Sequence, residues 1–195
     1  MIKYIFFDMD DTAFDTHNFM LCYLMNFGIY PGTDTYITPR NGKQPFIDML
    51  EDGSFMFKAD MRPYFIQTVA MLVRDGFSVG VCTHRGYHDK GERYTRKALS
   101  KHLSLFDHIH CLSSREYPDK IAYLNEKYGE GTWILVDDNP VTSVRDSFTG
   151  VGIPPVLPKN VLLFDKGWNA HINHPHRISS FDRPHFLKNL IPMLN

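Results

Sequence analysis

The stretch Ile2-Lys3-Tyr4-Ile5-Phe6-Phe7-Asp8-Met9-Asp10-Asp11-Thr12 is an apolar run that stops at three carboxylates and a hydroxyl. Two later runs end in a similar way. Phe77 to Cys82 passes into Thr83-His84-Arg85, and Trp133 to Val136 passes into Asp137-Asp138-Asn139. Short apolar runs rich in β-formers that alternate with helical stretches read as buried strands of a parallel sheet. Open α/β sheets bind ligands at the carboxyl ends of their strands, so the polar endings are expected to meet at one site.

The alternation fixes the fold class as α/β, a Rossmann-like parallel sheet flanked by helices. Strands are expected at residues 2–7, 77–82, 108–112, 133–136 and 161–164. Helices are expected from Pro63 to just before Gly76, from about Glu92 to Leu103, from about Pro118 to Tyr128, after Pro140, and from Pro184 to Leu194. The segment 13–60 breaks the pattern. Its apolar stretch Phe19–Met25, the Pro31-Gly32 turn, a polar loop and a short helix near Pro45–Leu50 read as a small helical cap inserted after the first strand. The core is then residues 1–12 and 61–195.

With 195 residues, 43% hydrophobic and 22% charged, the chain is long enough to bury a sizeable core. A net charge of −1 gives no global pull toward nucleic acid or membrane, so attraction for a phosphate-bearing substrate must be local. Cys22, Cys82 and Cys111 are odd in number and lack CxxC spacing, which suggests reduced thiols and a cytoplasmic location. No apolar run approaches the roughly 18 residues of a membrane span.

The clustered residue types suit phosphoryl transfer. Asp8 is placed to attack phosphorus and form an aspartyl-phosphate, splitting one hard step into two. Asp10, one strand period on, is placed to move protons to the leaving oxygen and from water. Thr83, the backbone N–H groups of residues 9 to 12 with Thr12 among them, a lysine and Mg²⁺ would offset charge on the transferring group. Lys120 is the best-placed lysine. Blander readings exist for each part. Asp8 to Thr12 could form a turn or helix cap, Lys120 a solvated helix residue, Asp138 a helix cap, and Arg85 either a phosphate ligand or the partner of a neighbouring acid. An EF-hand loop fails, because its glycine and glutamate positions hold Ala13 and Phe19. His171, His174, His176 and His185 read as a solvated segment.

At DMDDT, Thr83, Lys120 and Asp137-Asp138 the sequence resembles the haloacid dehalogenase (HAD) superfamily of phosphohydrolases. The resemblance implies Asp8 as nucleophile, Asp10 as acid/base, and Mg²⁺ held by Asp8, the Asp10 carbonyl and Asp137, with Asp138 in support. Asp11 stands at a position where that superfamily commonly has glycine. Within it, GSFMFKADMRPYF, VDDNP and LLFDKGWN are similar to segments of 5′(3′)-deoxyribonucleotidases. That implies a small-molecule nucleotide substrate. His84 and Arg85 stand where that family has Ser-Pro, and their position beside Thr83 makes them candidates for its phosphate; Phe55 and Phe57, where the cap rejoins the core, are candidates to stack on its base. The stretch THRGYHDKGERYTRKAL resembles the 3′-phosphatase domain of phage polynucleotide kinases, which would make an oligonucleotide 3′-end the alternative substrate. A receiver-like phosphoacceptor module is the non-enzymatic alternative.

Overall fold

The computed structural model describes residues 1–33, 36–141 and 156–194. Six parallel strands form one sheet in the order β3-β2-β1-β4-β5-β6: β1 (Tyr4–Phe7), β2 (Ser78–Thr83), β3 (His108–Cys111), β4 (Trp133–Asp137), β5 (Val161–Phe164) and β6 (Arg177–Ile178). The central strands are buried along nearly their whole length, as near-continuous apolar runs in parallel sheets are.

Alternation sends Ile5 and Phe7 to one face of the sheet. There they join Phe65, Val69 and Leu72 of α4 (Phe65–Arg74) and Phe186 and Leu190 of α7 (Arg183–Leu194) in the main core. Phe6 points the other way, against Leu124 of α6 (Lys120–Tyr128). Among the described residues the remaining core helix, α5 (Gly91–Ala98), follows a 3-10 turn at His84–Tyr87.

Between β1 and α4 the chain leaves the core to form α1 (Thr16–Met25), α2 (Pro39–Asp52) and α3 (Phe55–Lys58). These pack on their own apolar cluster of Leu24, Ile37, Phe46, Met49, Phe55 and Met56. The excursion starts and ends at one place: Asp15 N donates to Asp60 O (2.8 Å), Arg62 N donates to Ala13 O (2.9 Å), and Phe14 bridges Met61 antiparallel.

Some boundaries differ from expectation. The α4 helix begins at Phe65 rather than at Pro63, because Tyr64 takes a left-handed φ of 65° and interrupts helical geometry. The α2 helix starts earlier than Pro45 but breaks at Lys43 (φ 56°, ψ −154°), two residues before that proline. The α5 helix stops at Ala98, and a separate 3-10 turn covers Leu103–Leu105. The edge strand β6 lies in the histidine-rich segment expected to be solvated, and His174 there is buried with Nε2 donating to Val161 O (2.7 Å). The helix expected after Pro140 falls outside the described residues. No helix among those described is long and apolar enough to cross a membrane.

Candidate active site

Strand register assembles the centre of the site. Phe7 lies beside Val136, so Asp8 and Asp137, the next residues on β1 and β4, stand side by side at the carboxyl edge. Asp8 shares its strand face with Phe6, the face covered by α6, and the first residue of α6 is Lys120. Lys120 Nζ donates to Asp8 Oδ1 (2.7 Å) and to Asp137 Oδ2 (2.8 Å), and all three side chains are buried. An ammonium at a helix N-terminus is opposed by the helix dipole. Burial also pushes its pKa down, yet Asp137 and Asp8 outweigh both effects and raise it. The helix itself is capped by Asp119, whose carboxylate accepts from Ile121 N and Ala122 N.

One ammonium does not balance the acids around it. Burial holds the Asp8 and Asp137 carboxyls above their usual range despite Lys120. Burial, with the charges of Asp11 and Asp8, pushes Asp138 up to about 7. Asp8, Asp137 and Asp138 each offer a carboxylate oxygen, and these oxygens lie within 4.8 Å of one another. Buried hard oxygen donors in negative excess fit Mg²⁺. Asp10 adds no carboxylate oxygen to this group, which leaves only its backbone carbonyl for the role the resemblance implies.

Asp138 is locked in place from three sides. Thr12 Oγ1 donates to Asp138 Oδ1 (3.0 Å) and accepts from Asp138 N (3.0 Å), Trp168 Nε1 donates to Oδ2 (2.9 Å), and Asn169 Nδ2 donates to the carbonyl (3.0 Å). Thr12 therefore ties β1 to β4 and does not line the cavity, contrary to the expectation that it meets substrate.

Arg85 also departs from expectation. It does not reach toward the cavity but is fully buried, donating from Nε to Asp10 Oδ2 (2.8 Å), from Nη2 to Asp10 Oδ1 (2.7 Å), and from Nη1 to Met56 O (2.8 Å). Burial alone would raise the Asp10 carboxyl. The Arg85 charge and its two hydrogen bonds win, and with Thr16 Oγ1 (2.7 Å) they hold it below the ordinary range.

A cavity of about 330 Å³ opens over these groups, floored by Asp8, Asp10, Thr83, Lys120 and Asp138. Thr83 ends β2 and is buried. His84 also lines the cavity and donates from Nε2 to Tyr117 O (2.8 Å). Burial and the nearby Lys120 charge lower its pKa to about 3, so near neutral pH it offers no positive charge to a phosphate. Asp11 reaches the cavity from a left-handed φ of 64°, its Oδ1 accepting from His17 N (2.7 Å). Of the two aromatics expected at the base, Phe55 lines the cavity while buried in the cap cluster. Phe57 faces elsewhere, with its ring 4.9 Å from that of Tyr94 and Lys97 Nζ 3.6 Å over it.

Tyr36, Tyr87 and Arg115 line the cavity without having been expected there. Each stands alone in a loop or short turn, where no periodicity marks a residue. Trp168 and Asn169 were visible as a pair after β5, but their bonds to Asp138 were not.

No protein-family model matches the sequence, and no curated protein matches it. Solved structures do match the fold. A HAD-superfamily hydrolase of subfamily IA from Geobacter sulfurreducens is 18% identical over 100% of this chain and 97% of its own, with a TM-score of 0.58. A protein described as a predicted phosphatase from Clostridium acetobutylicum is 16% identical over 98% and 99%, with a TM-score of 0.61. The fold is that of the HAD-superfamily hydrolases. A 2-haloacid dehalogenase from Pseudomonas syringae shares it, at 15% identity over 100% and 98% of the two chains and a TM-score of 0.52.

Proposed function

We propose that the chain is a phosphomonoester hydrolase acting through an aspartyl-phosphate on Asp8, with nucleoside monophosphates as substrates. The observation that carries this reading is the Lys120 ammonium bridging Asp8 and Asp137 at the floor of the cavity. It orients the Asp8 carboxylate while leaving its second oxygen uncommitted to Lys120. That oxygen attacks phosphorus as the ester P–O bond breaks. Thr83 and Lys120 donate to the phosphoryl oxygens, where donors already in place act most strongly. Mg²⁺, which Asp8, Asp137 and Asp138 would hold, supplies a cation against the phosphoryl charge.

Asp10 is ionised at rest because of Arg85, which suits it to take the proton of the water that later hydrolyses the acyl-phosphate. An arriving phosphoryl dianion raises its pKa by repulsion, which lets it first carry a proton to the leaving oxygen. Opposite this polar floor, Ile37, Phe46, Leu50 and Phe55 give the cap side of the cavity an apolar wall, with Tyr36 and Tyr87 beside it. Such a wall suits a nucleobase better than the hydroxyl-rich body of a sugar phosphate.

Phosphate release should be measured with Mg²⁺ on deoxy- and ribonucleoside 5′- and 3′-monophosphates, a hexose phosphate and p-nitrophenyl phosphate. Nucleotides should be turned over fastest. Faster release from the hexose phosphate overturns the substrate assignment, and no release from any compound overturns the reaction.

A further inference from the structure

The loop from β3 to α6 carries Ser113, Ser114 and Arg115 into the cavity. It is held at both ends. Leu112 N donates to Thr83 O (2.7 Å), Glu116 N and Tyr117 N both donate to Ser113 O (3.0 and 2.8 Å), and His84 Nε2 donates to Tyr117 O (2.8 Å). A loop fixed this way presents its side chains without a large ordering cost.

The cavity is polarised. Four carboxylates line it, those of Asp8, Asp10, Asp11 and Asp138, and its lysines and arginines are Lys120 and Arg115. Lys120 is held between Asp8 and Asp137. Nearby Arg85, Arg62 and Lys166 are likewise paired, with Asp10, Asp15 and Asp11. Arg115 is exposed and pairs with none of the acids, and neither it nor the hydroxyls of Ser113 and Ser114 has a side-chain partner among the described residues. A guanidinium fork and the two hydroxyls that precede it along the loop supply more donors than a carboxylate can accept in plane, which suits the several oxygens of a phosphate ester.

We infer that Ser113, Ser114 and Arg115 form a second anion subsite, so that the preferred substrate carries a second phosphate ester besides the one cleaved. This rests on the phosphatase reading for the first phosphate. The second phosphate is either the 5′-phosphate of a nucleoside 3′,5′-bisphosphate or the internucleotide diester of a 3′-phosphorylated strand.

The test compares kcat/KM for adenosine 3′-monophosphate, adenosine 3′,5′-bisphosphate, a 3′-phosphorylated dinucleotide and 2-phosphoglycolate in the parent, Arg115→Ala and Arg115→Lys. The parent should prefer one of the two doubly charged nucleotides to the monophosphate by on the order of 10–100-fold, as a charge-assisted contact gives. That ratio should fall toward one in Arg115→Ala, mainly through KM, and be partly kept in Arg115→Lys, which retains the charge and loses the fork. The nucleotide preferred identifies the source of the second phosphate. A parent ratio near one, or an equal loss on every substrate in Arg115→Ala, overturns the subsite. An Arg115-dependent preference for 2-phosphoglycolate above both nucleotides overturns its assignment to phosphate. Calorimetric titration of Asp8→Asn with the bisphosphate and the monophosphate separates the two readings. If the parent releases no phosphate yet the bisphosphate binds more tightly by way of Arg115, the phosphatase reading falls and the subsite stands; equal binding removes the subsite whatever the turnover.

Discussion

Asp8, Lys120 and Asp137 are three residues with one positive charge between two buried negative ones, and this imbalance makes Asp8→Asn informative. The amide cannot attack phosphorus, so phosphate release should drop by more than about 10³-fold. Removing one of two acids that share a single ammonium relieves repulsion, so chemical denaturation of the metal-free variant should show stability equal to or above the parent's; a loss of both activity and stability would mean the substitution acts by disrupting the fold. Arg85 gives the opposite expectation. Its guanidinium is fully buried and joined to Asp10 by two bonds, and breaking a buried pair from one side costs about 3–5 kcal/mol. Urea unfolding of Arg85→Ala should show a loss of that size, with Arg85→Lys intermediate. The carboxylates and Thr83 could be placed from the sequence because each ends or follows a strand whose pattern is strong, and Lys120 because it opens the helix before the strand that ends in Asp137. Arg85 and Thr12 could not, since their partners lie 75 and 126 residues away and nothing local distinguishes a ligand from a tie.

At the level of elements, the start of α5 presses on the turn after β2. A Cβ on Gly91 would stand 2.0 Å from the Arg85 carbonyl oxygen, a contact with backbone that cannot rotate away. Gly91→Ala should therefore shift the turn that carries Arg85, with a thermal-unfolding loss equivalent to about 1–3 kcal/mol and a fall in kcat through the displaced Asp10. A normal kcat with reduced stability would show that Asp10 tolerates the shift. The aromatics around the cavity offer a cleaner comparison. Phe55 and Phe57 are two residues apart on one helical turn and so face nearly opposite ways, and the sequence alone gave no means to choose between them. Tyr87→Ala should weaken nucleotide binding by about 1–3 kcal/mol if it stacks on the base, measured as KM against that for p-nitrophenyl phosphate, whereas Phe57→Ala should not discriminate between the two compounds. The five longer strands, α1 and the second half of α2 were legible from the apolar pattern, whereas α3 was not. The two-residue β6 was not, because Arg177 and Ile178 are too few to show any period.

Across the whole molecule, burial acts on charge outside the cavity as well. His110, bonded to the Tyr128 hydroxyl (2.6 Å), has its pKa lowered to about 4 by burial and the nearby Lys127 and His108. Its folded pKa is below the unfolded value of 6.5, so its contribution to stability is complete above pH 6.5 and is lost as pH falls from there toward 4. The difference in melting temperature between the parent and His110→Gln should shrink or reverse across that window; comparing the two proteins cancels the carboxylates, which they share. One feature of the chain path reaches beyond stability. Because Asp15 and Asp60 are bonded at the root of the excursion, the helices between them are attached much as a component is plugged into a socket. Residues 16–60 could be exchanged for a foreign helical pair, or bridged by a short turn, without rerouting any strand of the sheet. Two contacts cross that joint to the chemistry beneath, Thr16 Oγ1 to Asp10 and Arg85 Nη1 to Met56 O, so an exchanged lid would have to supply both.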